Sequence, residues 1–128
     1  MAGANILVIE DQLLNLELVT DLLEAAAYTV RQARSAEEGL RLAREEPPDL
    51  ILMDIRLPGM DGHAAVRVLK DDPRTRHIPT VALTAQAMKG DDEQARAAGF
   101  DGYITKPIDT RTFADTVARF LESRPDAP

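Results

Sequence analysis

The run Leu50-Ile-Leu-Met53 places apolar side chains at successive positions directly ahead of the carboxylate of Asp54. A strand sends alternate side chains to opposite faces, so this run is apolar on both and needs cover on both. That is the habit of a parallel sheet between two helical layers. Further short apolar runs at Asn5–Ile9, Thr29–Ala33, Thr80–Thr84 and Gly102–Thr105 read as strands, with the central one placed at Asp49–Met53. Helical patterns follow at Leu14–Ala26, Ala36–Glu45, Gly62–Lys70, Asp91–Ala98 and Thr110–Glu122. Ser35 with Glu38 reads as a capping box for the second helix, and Pro47-Pro48 stops that helix. Phe113, Val117, Phe120 and Leu121 share one face of the last helix. Repeated βα units imply right-handed crossovers and a doubly wound α/β sheet.

With 128 residues the chain has room for one domain, expected at 1–122 with a short flexible tail at 123–128 and no output domain. The absence of cysteine excludes disulfides, thiolate metal sites and a thiol nucleophile. No apolar run approaches the ~20 residues that cross a bilayer, and the N-terminus lacks the order of a signal peptide. The expected location is therefore cytoplasmic, with no membrane partner. A net charge of −7 argues against direct nucleic-acid binding.

The polar residues at the strand ends are more specific. The first strand ends in Glu10-Asp11, the third in Asp54, the fourth in Thr84 and the fifth in Thr105-Lys106-Pro107. In a parallel sheet these ends share one edge, where ligands and chemistry gather. Carboxylates packed together repel and raise one another's pKa unless a cation sits among them. Hard oxygen donors with room for water suit Mg²⁺. Taken singly, Asp11 could equally be a helix cap; the set is much harder to explain that way.

These residues, with D-I-R-L-P-G-M-D-G from Asp54, A-L-T-A from Ala82 and Y-I-T-K-P from Tyr103, resemble the receiver domain of two-component response regulators. The resemblance covers nearly the whole chain. The surroundings of Gln12 and Asn15, and A-M-K-G-D from Ala87, look most like single-domain regulators of the cell-cycle type and hybrid-kinase receivers. The resemblance implies a flavodoxin-like (βα)5 fold with strand order 2-1-3-4-5. It implies a single-domain regulator that takes a phosphoryl group onto Asp54 from a sensor histidine kinase or histidine phosphotransfer protein. Asp11, Asp54 and the backbone carbonyl of Arg56 would hold Mg²⁺, with Glu10 acting through a water. Lys106 would pair with the phosphoryl oxygens, Thr84 would donate its hydroxyl, and the N–H of Ala85 could help. Lys106-Pro107 would be cis. Thr84 and Tyr103 would form the switch, and a downstream target would meet the face of the fourth helix, fifth strand and fifth helix. The protein would be a signalling switch, catalysing only its own phosphorylation and slow autodephosphorylation.

Some expectations concern this chain in particular. Arg56 could touch the partner or slow attack by water, and Gln86 could orient that water, so the pair would tune the phosphoryl lifetime; either could also simply sit in solvent. Leu14 and Leu18 lie off the core stripe of the first helix, and with Asn15, Arg56 and Pro107 they are expected to meet the phosphotransfer partner. The alternative is a wider core stripe. Ala27 stands where the family usually has glycine at a left-handed helix end, and Ala27→Gly should stabilise slightly. His63 and His77 read as surface residues rather than phosphoryl donors. Two other origins remain open: a receiver cut from a hybrid kinase or longer regulator, and a Mg²⁺-dependent phosphatase with an aspartate nucleophile. The phosphatase would want an acid where Arg56 stands.

Overall fold

The apolar run at Leu50 becomes the central strand of a five-stranded parallel sheet, ordered β2-β1-β3-β4-β5. The computed structural model describes residues 3–57, 59–84 and 96–122. The strands are β1 (Asn5–Ile9), β2 (Thr29–Ala33), β3 (Leu50–Asp54), β4 (Thr80–Thr84) and β5 (Gly102–Thr105). The helices are α1 (Leu13–Ala25), α2 (Ala36–Glu45), α3 (Gly62–Asp71) and, as the last helix, α4 (Phe113–Glu122). Of the pattern at Asp91–Ala98 only residues 96–98 fall among those described, and they are helical.

Strand parity divides the core. Leu7, Ile9, Ile51 and Met53 pack under α2 and α3 with Leu40, Val66 and Leu69. Ile6, Val8, Leu50 and Leu52 pack on the opposite face with Leu16, Val19 and Leu23 of α1 and Phe113, Val117 and Leu121 of α4. Both faces of β3 are thus covered, which is what its uninterrupted apolar sequence requires. Burying each such side chain contributes about 1.5–3 kcal/mol, so the central strands carry much of the fold's stability. The edge strand β2 can afford polar Arg31 and Gln32 because only one neighbour strand pairs with it.

Several boundaries differ from expectation by a residue or more. β3 runs through Asp54, because Asp54 pairs with Leu83 and the next N–H, on Ile55, donates to the Leu83 carbonyl. α1 begins at Leu13. α4 begins only at Phe113, after a turn in which the Asp109 carboxylate accepts the Arg111 N–H. Phe120 is half-buried rather than fully buried: its ring lies against Gly102, where any Cβ would collide with it.

Two local features match closely. Ser35 caps α2 by accepting the Glu38 N–H at 3.1 Å, while Glu38 reaches back to the N–H of Arg34, one residue beyond the cap. α1 ends with Ala27 at φ 70°. There the N–H of Tyr28 reaches the Leu23 carbonyl and that of Ala27 reaches Glu24, the Schellman pattern, and Tyr28 and Leu23 share the α1–α4 core.

Candidate functional site

Parity also builds the site. Ile9 pairs with Met53, so the next residues, Glu10 and Asp54, emerge side by side from β1 and β3. Both continue the face of the sheet that carries Ile6, Val8, Leu50 and Leu52. Lys106 follows Ile104 of β5 on that same face, and its own N–H is held by the Thr84 carbonyl at 2.7 Å. The peptide bond that follows, Lys106-Pro107, is cis. The Lys106 ammonium meets Glu10 Oε1 at 2.6 Å and Asp54 Oδ2 at 3.2 Å.

Glu10, Asp11 and Asp54 each present a carboxylate oxygen within 4.8 Å of the others. Glu10 is fully buried and Asp54 is 7% exposed, while Asp11 is half-buried. Burial and the neighbouring Asp54 push Glu10 up to about 6, against the opposing pull of Lys106 and the Gln12 N–H. Burial by itself would lower Lys106; its two carboxylate partners outweigh that and hold its ammonium above the ordinary value. Among the described residues, three carboxylates cluster beside one ammonium that pairs with two of them, leaving a deficit of positive charge in a set of hard oxygen donors.

The loop after β3 is fitted around Asp54. Its Oδ1 accepts the backbone N–H of Arg56 at 2.9 Å, while the Arg56 side chain is exposed. Gly62 opens α3 against this segment, donating its N–H to the Ile55 carbonyl at 2.8 Å. A Cβ on Gly62 would lie 2.9 Å from the Asp54 carbonyl oxygen and 2.7 Å from Ile55 Cα, so only glycine admits this approach. Asp61 caps the same helix through the Ala64 N–H.

Thr84 and Tyr103 lie on the other parity, with Ala82, facing the α2–α3 layer. Both are half-buried, and Tyr103 packs against that core cluster. Leu14 is 82% exposed and Leu18 36%, off the core stripe as expected. Leu13, at 52%, extends that apolar patch and was not singled out by spacing, because it precedes the expected start of the helix. Asn15 is half-buried and donates to Gln12 Oε1, and Pro107 is exposed. Gln86 and Ala85 lie outside the described residues. His77 is exposed, whereas His63 is half-buried, its ring edge-to-face with Phe100 at 6.2 Å. Sequence reasoning also passed over Arg34, whose guanidinium donates to the Asp11 carbonyl.

A family model described as response regulator receiver domain matches residues 6–118. The polar-differentiation response regulator DivK of Brucella ovis is 48% identical over 117 residues, spanning 91% of this chain and 95% of that protein. Among solved structures, the chemotaxis response regulator CheY4 of Vibrio cholerae superposes with a TM-score of 0.88 at 25% identity, covering 93% and 99% of the two chains. The receiver domain of sensor histidine kinase PA1611 from Pseudomonas aeruginosa, with magnesium coordinated in its active-site cleft, gives 0.87 at 34% identity, covering 95% and 100%. Both expected kinds of relative, stand-alone regulators and histidine-kinase receivers, are present in this set.

Proposed function

The chain belongs to the response regulator receiver family of two-component signalling, and on that premise we propose that Asp54 is its phosphoacceptor. The observation that carries this reading is the Asp54 carboxylate at the end of β3, 3.2 Å from the Lys106 ammonium and grouped with Glu10 and Asp11. An Asp54 oxygen attacks the phosphorus of a phosphohistidine on the donor. The new O–P bond forms as the P–N bond breaks, and its electron pair returns to the imidazole. Lys106 follows the phosphoryl oxygens as a point charge, and Thr84 turns from its resting face to offer them its hydroxyl.

The three carboxylates fit Mg²⁺; Asp11 and Asp54 would hold it beside the carbonyl of Arg56, with Glu10 acting through a water. When bound, the ion neutralises charge on the transferring group. Arg56, exposed beside Asp54, and Gln86 are proposed to tune how long the phosphoryl group persists.

The donor is a sensor histidine kinase or a histidine phosphotransfer protein, docking on Leu14, Asn15, Leu18, Arg56 and Pro107. Phosphorylation adds roughly −1.5 to −2 charges, drawing Thr84 inward with Tyr103 behind it. The two residues share one face of adjacent strands, which supports coupling between them. A target binds the face of β5, α4 and the helical segment before β5, where Tyr103, Pro107, Phe113 and Thr116 help line a groove of ≈ 440 Å³. The receiver domain is proposed to occupy residues 1–122, and its own phosphorylation and slow dephosphorylation are the reactions it catalyses. No helix among the described residues is long and apolar enough to cross a membrane, which supports the cytoplasmic location proposed for it.

The test is incubation with Mg²⁺ and a small acyl phosphate, followed by a phosphate-affinity gel of the wild type and Asp54→Asn. A retarded band present only in the wild type is expected. A band that survives in Asp54→Asn, or none in either, overturns the assignment.

A further inference from the structure

The turn between β1 and α1 carries Asp11 with little support from its own helix. Gln12 occupies the N-cap position, yet its side chain accepts no backbone N–H of the helix, only the Asn15 side chain, and the first turn holds no acid. Two contacts steady the turn, one from within it and one from the end of β2. The Glu10 carboxylate accepts the Gln12 N–H at 3.2 Å, and the Arg34 guanidinium donates to the Asp11 carbonyl at 3.1 Å.

Arg34 is well placed for this. Its backbone N–H is tied to Glu38 Oε1 at 3.0 Å, Glu38 is in turn held by the Ser35 cap, and the adjacent Ala33 carbonyl accepts the Glu10 N–H at 3.0 Å. The end of β2 and the cap of α2 thus form a post from which the guanidinium reaches the acid-bearing turn. Among the described residues this is the only hydrogen bond of the Arg34 side chain, and no carboxylate pairs with it.

We infer that Arg34 is a positioning residue for the acid cluster: by gripping the Asp11 carbonyl it orients the Asp11 carboxylate toward Asp54 and sets the affinity of the cluster for Mg²⁺. The inference rests on the proposed role of Asp11 as a metal ligand. Two effects of Arg34 run in opposite directions. As a bare positive charge it weakens binding of a divalent cation; as a clamp it strengthens it. The sign of the mutational effect therefore decides between them.

The experiment compares wild type, Arg34→Ala and Arg34→Lys by calorimetric titration with Mg²⁺, by the Mg²⁺-induced shift of the Gln12 amide, and by the Mg²⁺ dependence of phosphorylation from a small acyl phosphate. Arg34→Ala should raise the Mg²⁺ dissociation constant roughly five- to tenfold, the range of one hydrogen bond and at the low end of losses for outer-shell contacts. The Mg²⁺ concentration for half-maximal phosphorylation should rise in step while the saturated rate stays unchanged. Arg34→Lys, which keeps the charge and a donor, should recover part of the loss. Equal or tighter Mg²⁺ binding by folded Arg34→Ala, in a wild type that binds Mg²⁺ and is phosphorylated on Asp54, overturns the inference and leaves the function standing. A wild type that does neither overturns both.

Discussion

The two ends of the sheet use charged side chains in opposite ways. At the amino ends of the strands, charge is tied to backbone. The Asp49 carboxylate accepts the Asn5 N–H at 2.8 Å, and Asp101 accepts the Thr80 N–H at 2.7 Å. Lys70 spreads its ammonium over the carbonyls of Arg76 and Ile78 and the Asp101 carboxylate, and Arg31 donates to the carbonyls of Leu42 and Glu46. At the carboxyl ends, three acids crowd together, and two of them, Glu10 and Asp54, share Lys106. A side chain bonded to backbone loses a structural partner when it is moved. Like charges crowded on one ammonium gain from an incoming cation. One end holds the fold, and the other is poised for chemistry.

Substitution of Lys106 should separate the ends most sharply. Lys106→Met removes the ammonium that competes for Glu10 and Asp54, so Mg²⁺ should bind more tightly, by roughly tenfold or about 1.4 kcal/mol. Phosphorylation of Asp54 should nevertheless fall. Calorimetry and single-turnover phosphorylation would check both, and weaker Mg²⁺ binding would mean that Lys106 supports the acids rather than competing with a cation.

A pH titration probes the same end. Glu10 stands at about 6 in the folded protein against 4.5 for a free glutamate, because of burial and Asp54. A raised carboxyl favours the protonated form in the folded state. Its stabilising contribution is therefore complete below 4.5 and is lost as the pH climbs through 6. In metal-free buffer the melting temperature of the wild type, measured relative to Glu10→Gln, should decline across that window. A flat difference would place the two acids further apart in solution than here.

At the holding end, Asp101→Ala leaves the Thr80 N–H without its acceptor and Lys70 without its carboxylate. With Asp101 itself half-exposed, the cost should be about 1–2 kcal/mol in urea unfolding. Mg²⁺ affinity should stay within about twofold of the wild type, since distant sites act nearly independently. A larger change in affinity would show that the ends are coupled.

The smallest effect is expected at Ala27, whose φ of 70° suits glycine. Ala27→Gly should stabilise by up to ~1 kcal/mol, a rise of about 2–4 °C in melting temperature, without altering phosphorylation. A lower melting temperature would mean that the added freedom of the unfolded chain outweighs the relief of strain.

Much of the frame was legible because periodicity is local. Alternation between apolar runs and helical stripes located every strand, and the misjudged end of β3 turned on a partner: Asp54 joins the ladder only because Leu83 lies beside it. The late start of α4 follows a turn in which the Asp109 side chain, not a preceding carbonyl, accepts the Arg111 N–H. Arg34 escaped notice because an arginine at a strand end carries no signal of what it will reach. Its partner is a backbone carbonyl 23 positions earlier. Leu13 escaped because it sits where the first turn begins, before a stripe can be counted.

The amino-acid order by itself determined the doubly wound sheet and the acids, hydroxyl and amine at its carboxyl edge, because side-chain period and turn chemistry act over a few residues. The tertiary structure decided which of these groups touch. Lys106 meets Glu10 across 96 positions and Asp54 across 52, while Thr84 and Tyr103 turn to the other face. Those meetings follow from strand order and register, which are settled by packing two helical layers against the sheet. No local preference encodes a distance between strands that the chain has yet to bring together.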